Sequence, residues 1–156
     1  MTKNNNNTTS TVLVVDDNQQ NLELLLAYLE DVDCKTISAT DGTEALDAAK
    51  QALPDLILLD VMMPKMSGFE VCSRLKNDPN TTDIPIIMVT ALSELGDIER
   101  AIDSGTDDFL SKPVNKLELI TRVKTMLKLK HLTDKLERTL AYLSEVESHV
   151  ASKNVD

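Results

Sequence analysis

From Thr11 onward, short apolar runs alternate with amphipathic stretches, which indicates alternating strands and helices. The predicted strands are residues 12–15, 35–39, 56–59, 86–89 and 108–111. The first, third and fourth are unbroken aliphatic runs, which is typical of strands buried on both faces of a parallel sheet. The second and fifth are more polar, and we expect them at less protected positions of the sheet.

An amphipathic stretch follows each of these five runs. The first carries leucines at 22, 25, 26 and 29, and the second begins near Thr43 and carries apolar residues as far as Leu53. The third covers residues 69–75, the fourth covers 94–104 with Gly105 as a stop signal, and the fifth begins after Pro113. Five such units predict an α/β fold, a parallel sheet with helices on both faces. Sheets of this kind bind ligands at the carboxyl ends of their strands.

Composition narrows the classes of function. The 156 residues carry a formal net charge of −10 and only 3% aromatic residues. An acidic surface with few aromatics does not suit direct nucleic-acid binding. The longest apolar run, residues 24–29, is too short to span a membrane, and the N-terminus lacks the pattern of a signal peptide. We therefore expect a cytoplasmic protein, with Cys34 and Cys72 as small buried hydrophobes rather than a disulfide or a zinc site.

Polar residues follow four of the predicted strands directly, and we expect them to meet at one edge of the sheet. They are Asp16, Asp17, Asp60, Thr90 and Lys112, and Ala91 follows Thr90. Three carboxylates at close range repel unless a cation neutralises them, and all-oxygen ligands suit Mg²⁺. An ammonium, a hydroxyl and the backbone N–H of Ala91 beside them would hold phosphoryl oxygens. The site is therefore predicted to accept a phosphoryl group on an aspartate.

These motifs resemble the receiver domain of two-component response regulators over residues 11–130. The matching segments are Asp16-Asp17, residues 58–64 with Ser67-Gly68, Thr90-Ala91 and Lys112-Pro113. The resemblance implies a flavodoxin-like, doubly wound, five-stranded sheet with strand order 2-1-3-4-5. It also implies a signalling switch rather than a turnover enzyme, phosphorylated by a sensor histidine kinase or a phosphotransfer protein.

The resemblance also assigns roles to individual residues. It implies that Asp60 is the phospho-acceptor and a Mg²⁺ ligand, and that Asp17 binds Mg²⁺ directly. Asp16 would bind the ion directly or through water, and the backbone carbonyl of Met62 would complete the protein ligands.

On the phosphoryl side, Thr90 and Lys112 would contact the phosphoryl oxygens, and the Lys112–Pro113 bond is expected to be cis. Thr90 and Phe109 would form the switch: Thr90 moves toward the phosphoryl group, and Phe109 rotates inward behind it. That movement would alter the face formed by helix four, strand five and helix five.

Two apolar positions bear on the lifetime of the phosphorylated state. In this family, the residues two positions beyond the acceptor and two beyond the threonine flank the path of hydrolytic water. Here they are Met62 and Leu92, and neither can orient a water by hydrogen bonding. We expect a comparatively long-lived phosphoryl-aspartate.

The two ends of the chain differ from the middle. Residues 1–10, with four consecutive asparagines, are predicted to be disordered, and residues 131–156 form a helical extension. Apolar residues recur there at heptad spacing, with one polar member and an additional Leu140: Leu129, Leu132, Leu136, Thr139, Leu143, Val146 and Val150. The pattern favours a coiled coil that makes a homodimer, and the alternative is a helix folded back on its own domain. His131 and His149 are expected to be ordinary surface residues.

Other functions fit the sequence less well. One alternative is the receiver segment of a larger effector, such as a cyclase or kinase, joined through the heptad helix. An aspartyl-phosphate phosphatase of the haloacid dehalogenase type would carry a second aspartate where this chain has Met62. The chain has no glycine-rich nucleotide motif, and residues 131–156 are too few for a helix-turn-helix domain.

Overall fold

A computed structural model of the chain describes residues 9–91 and 95–153. Its strands are β1 (Ser10–Val15), β2 (Cys34–Ala39), β3 (Leu56–Asp60), β4 (Ile86–Thr90) and β5 (Asp108–Ser111). Its helices are α1 (Gln19–Leu29), α2 (Gly42–Ala52), α3 (Gly68–Asn77), α4 (Leu95–Asp103) and α5 (Lys116–Lys153). Each strand precedes one helix, as the alternation of patterns predicts.

The strands form one parallel sheet in the order β2-β1-β3-β4-β5. This is the flavodoxin-like, doubly wound order that the sequence predicts. The central strands β3 and β4 are buried at every residue, whereas β2 and β5, the two more polar runs, are the edge strands. The polarity of each run therefore predicted its place in the sheet correctly.

Alternate side chains of the central strands enter two separate cores. On one face, Val12, Val14, Leu56 and Leu58 pack with the apolar sides of α1 and α5. On the other face, Leu13, Val15, Ile57 and Leu59 pack with α2, α3 and α4. Because both faces are covered, the polar groups that follow the strands meet only at the carboxyl edge of the sheet.

Local side-chain bonds fix where three of the helices begin. Asn18, Asp41 and Ser67 are the N-caps of α1, α2 and α3, and each side chain accepts a hydrogen bond from a backbone N–H in the first turn. Such caps satisfy amide groups that have no partner within the helix. These caps start α1 and α3 directly after the loops that follow β1 and β3.

Two boundaries differ from the sequence prediction. β1 begins at Ser10, the last residue assigned to the disordered head, and Ser10 pairs with Cys34 of β2. Leu53 does not extend the apolar face of α2: it is 54% exposed and caps the helix with a φ of 44°. The following Pro54 disfavours the right-handed helical conformation at Leu53, which explains why the helix ends there. Residues 1–8 of the predicted head lie outside the described residues.

The structure also shows how far the two cysteines are buried and what His131 contacts. Cys72 is buried as expected, but Cys34 lies on the edge strand and is only half-buried; neither forms a disulfide. His131 is exposed, and its Nε2 atom lies 2.7 Å from the hydroxyl of Ser10. The hydrogen bond between them joins the start of β1 to the helix that leaves the domain.

Helix α5 runs for 38 residues without a break. Leu119, Val123 and Leu127 are buried against the sheet. Beyond them, the apolar heptad residues are 39% to 59% exposed: Leu129, Leu132, Leu136, Leu143, Val146 and Val150. We call these six residues the tail seam. The described part of the extension continues α5 outward and does not fold back over the sheet.

Candidate functional site at the carboxyl edge of the sheet

Three aspartates meet where β1 and β3 end. Asp16 and Asp17 directly follow β1, and Asp60 is the last residue of β3. Each offers a carboxylate oxygen, and these oxygens lie within 4.8 Å of one another. Asp16 is 0% exposed and Asp60 is 4% exposed, whereas Asp17 is exposed at the rim. The cluster is a candidate site for a hard cation such as Mg²⁺, which prefers oxygen ligands.

Backbone groups hold the two buried carboxylates. The N–H of Asn18 donates to Oδ1 of Asp16 at 2.9 Å, and the N–H of Asp16 donates to the carbonyl of Ala39 at 3.2 Å. The N–H of Met62 donates to Oδ1 of Asp60 at a longer 3.4 Å. Asp16 is therefore anchored by the loop that also starts α1, and Asp60 is held more loosely.

Lys112 neutralises part of this charge from the end of β5. Its Nζ atom lies 3.0 Å from Oδ2 of Asp16 and 3.3 Å from Oδ1 of Asp60. Its backbone N–H donates to the carbonyl of Thr90 at 2.9 Å, which ties the β5 loop to the end of β4. The Lys112–Pro113 bond is cis, as the resemblance implied.

The pKa values follow from this crowding. Burial raises the pKa of Asp60, the charge of Asp16 raises it further, and Lys112 only partly offsets the two. Burial lowers the pKa of Lys112, but its bonds to Asp16 and Asp60 and their charges outweigh burial, so the net pKa is raised. One ammonium thus serves two buried carboxylates, and a cation at the rim would complete the balance of charge.

Thr90 points a free hydroxyl into the protein. It is 1% exposed, and among the described residues its Oγ1 atom is the buried side-chain oxygen that has no hydrogen-bond partner. Buried polar atoms are nearly always paired, so this hydroxyl is available to bond with a group that enters the site. Ala91, the next residue, is exposed, and its backbone reaches the same edge.

Phe109 lies on β5 opposite Met88 of β4. It is half-buried and packs against the core on the α2–α4 face. Thr90 and Phe109 therefore stand on neighbouring strands, so the two predicted switch residues are linked through the β4–β5 pair.

Gly68 lets the loop after β3 pass close to the acceptor. A Cβ atom at Gly68 would lie 2.3 Å from the backbone carbonyl oxygen of Asp60 and 2.7 Å from Cα of Val61. The N–H of Gly68 donates to the carbonyl of Val61 at 2.9 Å. Only a residue without a side chain fits this approach.

Comparisons with known proteins decide the family. The family profile described as the response regulator receiver domain matches residues 12–124. The chain belongs to the response regulator receiver domain family. The Response regulator PleD of Caulobacter vibrioides is 44% identical over 120 residues, which are 77% of this chain and 26% of that protein. The receiver thus spans about a quarter of the length of this curated relative.

Solved structures resemble the receiver closely. A putative response regulator from Chloroflexus aurantiacus aligns with a TM-score of 0.73 and 33% identity, over 77% of this chain and 98% of that one. The receiver domain of the sensor histidine kinase PA1611 from Pseudomonas aeruginosa PAO1 aligns with a TM-score of 0.72 and 28% identity, over 77% and 98%. In that structure a magnesium ion is coordinated in the active-site cleft.

The fold brings most of the predicted site residues together. Asp16, Asp17, Asp60 and Lys112 form one cluster, and Thr90 ends the strand between β3 and β5. The side chain of Met62 is 73% exposed beside the acceptor. Leu92, the second residue predicted to line the water path, lies outside the described residues.

Sequence reasoning missed Asn18, which both caps α1 and holds Asp16. Its position two residues after the first aspartate, at the start of a helix pattern, was the available signal. Among the described residues, no helix is long and apolar enough to cross a membrane.

Proposed function

We propose that this receiver is a phospho-accepting switch in two-component signalling, with Asp60 as the acceptor. The observation that carries the proposal is the juxtaposition of a buried carboxylate at Asp60, two further aspartates, Lys112 and the unpaired hydroxyl of Thr90. In the proposed step, a carboxylate oxygen of Asp60 attacks the phosphorus of a phosphohistidine on a kinase or phosphotransfer protein. The P–O bond forms as the P–N bond breaks, and its electron pair remains on the imidazole nitrogen.

The acidic cluster fits Mg²⁺. Asp17, Asp16 and Asp60 would hold it together with the backbone carbonyl of Met62, and the magnesium-bound structure of the PA1611 receiver supports this assignment. When bound, Mg²⁺ supplies positive charge that balances the carboxylates and the phosphoryl oxygens. The exposed position of Asp17 leaves an opening for the ion from solvent.

Lys112 and Thr90 receive the transferred group. Lys112 already lies within hydrogen-bond range of Asp60, so its ammonium can remain there as a charged partner for a phosphoryl oxygen. The Thr90 hydroxyl gains its missing partner by donating to another oxygen, with the N–H of Ala91 as a third donor. Movement of Thr90 leaves room for Phe109 to turn inward, which alters the surface formed by α4, β5 and α5.

The phosphorylated state is proposed to be long-lived, because Met62 offers no hydrogen bond to an attacking water. The measurement is the decay of the phosphorylated protein in the presence of Mg²⁺. Met62→Asn should hasten the decay, since an amide can orient water. A lifetime of seconds that this substitution leaves unchanged would contradict the proposal.

Output is proposed to come from assembly, through dimerisation of the α5 extension. The exposed tail seam supports this proposal. The alternative is that this receiver is a segment of a larger effector. The comparison with PleD supports that alternative, because the match covers only 26% of that protein.

The test of the proposed function is phosphorylation by acetyl phosphate or by candidate histidine kinases, followed by intact mass. Wild type should gain one phosphoryl group in Mg²⁺ and none in EDTA. Asp60→Asn should gain none. Asp47→Asn, which changes an exposed aspartate on α2, is the matched control and should behave as wild type. Equal labelling of Asp60→Asn and wild type would show that the acceptor lies elsewhere.

A further inference from the structure

Met62 is the most exposed methionine among the described residues, and it lies in the loop after the acceptor. Its side chain is 73% exposed, whereas Met63 and Met88 are buried. Met66 and Met126 are half-buried, and each packs against one of the two cores. A dissolved oxidant therefore reaches the thioether of Met62 more readily than those of the other described methionines.

The backbone of the loop holds Met62 beside the acceptor. The N–H of Met62 donates to Oδ1 of Asp60 at 3.4 Å. The N–H of Met63 donates to the carbonyl of Val61 at 3.0 Å, which makes Met62 the central residue of a three-residue turn. The N–H of Gly68 donates to the same carbonyl at 2.9 Å. The exposed side chain therefore starts from a hydrogen-bonded backbone that contacts the acceptor.

The two cysteines, which would compete for an oxidant, are protected by burial. Cys72 is buried, and its Sγ atom lies 3.3 Å from the carbonyl oxygen of Ser104. Burial raises the pKa of the Cys72 and Cys34 thiols, and the charge of Asp33 raises the pKa of Cys34 further. Because the thiolate is the form that oxidants attack, thiols with a raised pKa react slowly. Met62 is therefore an accessible target in a chain whose thiols are poor ones.

We propose that Met62 is an oxidation site of this receiver, and that its sulfoxide shortens the lifetime of the phosphoryl-aspartate. In the oxidation step, a lone pair of the thioether sulfur attacks one oxygen of hydrogen peroxide. The S–O bond forms as the O–O bond breaks, and the sulfur gives up two electrons. The departing hydroxide takes the proton of the transferred oxygen and becomes water. The oxidation is independent of the proposed function, whereas its effect on the lifetime rests on that function.

The effect on the lifetime follows from the change in hydrogen bonding. A thioether accepts hydrogen bonds weakly, whereas a sulfoxide is polar. Hydrolysis needs a water in line with the bond between the phosphorus and Asp60. Asp60 is only 4% exposed, so that water arrives from the rim where Met62 stands. A sulfoxide oxygen there accepts a hydrogen bond from the water and orients it, which favours attack.

Peptide mapping by mass spectrometry tests the oxidation site on the full chain. A limited treatment with hydrogen peroxide, stopped with catalase, should add one oxygen atom to Met62 before Met66 or Met126 is oxidised. Methionine sulfoxide reductases should then remove that atom. Oxidation of Met66, Met126 or Cys34 ahead of Met62 would overturn the proposal.

The decay of the phosphoryl group tests the consequence. After labelling with acetyl phosphate in Mg²⁺, oxidised wild type should lose the group about fivefold faster than untreated protein, the rate equivalent of one ordinary hydrogen bond. Reductase treatment should restore the slower decay. Met62→Gln, whose amide oxygen imitates the sulfoxide, should decay fast without oxidant.

Two variants separate Met62 from other effects of the oxidant. Met62→Leu should decay at the same rate before and after treatment, because leucine has no sulfur to oxidise. Met66→Leu removes another thioether of the same loop, so it is the matched control and should respond to the oxidant as wild type does. Faster decay in treated Met62→Leu, or an unchanged rate in oxidised wild type, would overturn the effect on the lifetime. Failure of untreated wild type to accept a phosphoryl group would contradict the proposed function and that effect, but not the oxidation mapped at Met62.

Discussion

The carboxyl edge of the sheet buries charge, whereas the outer side of α5 exposes apolar surface. Asp16 and Asp60 are 0% and 4% exposed, but Leu132 and Leu136 are 54% and 59% exposed. Folding usually does the reverse, because burying a charge is costly and burying a leucine is favourable. The first region therefore carries more negative than positive charge, and the second leaves apolar side chains in contact with solvent.

The two regions also differ in what holds them. The carboxylates are fixed by Lys112 and by backbone N–H groups from the adjoining loops. Apart from the bond between His131 and Ser10, the hydrogen bonds of the described part of the tail lie within the helix itself. An isolated helix is marginally stable without packing. The carboxylates at the edge are therefore already in place in the absence of a ligand, whereas the tail would gain stability if a partner covered it.

The largest expected effect is a difference in the free energy of unfolding between alanine variants of two leucines in α5. Leu119→Ala should lower the free energy of unfolding by about 2 to 5 kcal/mol at every protein concentration, because Leu119 is fully buried. Leu132→Ala should cost less than about 0.5 kcal/mol in dilute protein. Its cost should grow with concentration, since a second copy then covers the site. Urea unfolding at several concentrations measures both, and a concentration-independent loss in Leu132→Ala would contradict dimerisation through the tail.

Metal binding is expected to stabilise the first region alone. At a Mg²⁺ concentration 100 times the dissociation constant, the receiver should gain about 2.7 kcal/mol. Asp17→Asn should lose most of this gain while leaving stability in EDTA nearly unchanged, because Asp17 is exposed and would act as a metal ligand rather than in packing. Thermal unfolding with and without Mg²⁺ measures it. Asp97→Asn is the matched control. Because Asp97 lies on α4 and outside the acidic cluster, this variant should be stabilised by Mg²⁺ as much as wild type. If Asp17→Asn also kept the full gain, the metal would bind elsewhere.

The smallest expected effect is a dependence of stability on pH in the absence of metal. The pKa of Asp60 is raised in the folded state by burial and by Asp16, so its ionised form destabilises the fold. The stability that protonated Asp60 contributes is complete below the ordinary pKa of 3.8 and is lost as pH rises through the raised value. Asp60→Asn should therefore be more stable than wild type at neutral pH in EDTA.

That advantage should shrink as the pH falls toward 3.8 and wild-type Asp60 takes up its proton. Urea titrations of both proteins across this range provide the measurement. An advantage that stayed constant with pH would show that it arises from packing rather than from charge.

Much of the first region was readable from the sequence. The unbroken runs predicted the central strands, and the more polar runs predicted β2 and β5 at the edges. Because parallel strands end at one edge, the residues after them had to converge, and Asp16, Asp17, Asp60 and Lys112 do.

Backbone geometry and individual contacts could not be predicted from the sequence in this way. The approach of Gly68 to the carbonyl of Asp60 depends on how the loop after β3 folds back on its own strand. The bond between Ser10 and His131 joins residues 121 positions apart. Leu53 matched the apolar period of α2, yet the proline after it ends the helix and leaves Leu53 exposed. Hydrophobic period records which face is buried, and it carries little information on backbone geometry or on single polar contacts.

The sequence alone determined the order of elements, the family resemblance and the heptad period of the extension, because these follow from local patterns repeated along the chain. Only the tertiary structure decided that Lys112 bonds two buried aspartates, that the Thr90 hydroxyl lacks a partner among the described residues, and that the tail seam is exposed. Those facts depend on distances between segments far apart in the chain and on the rotation of α5 about its axis. Both are set by packing against the sheet.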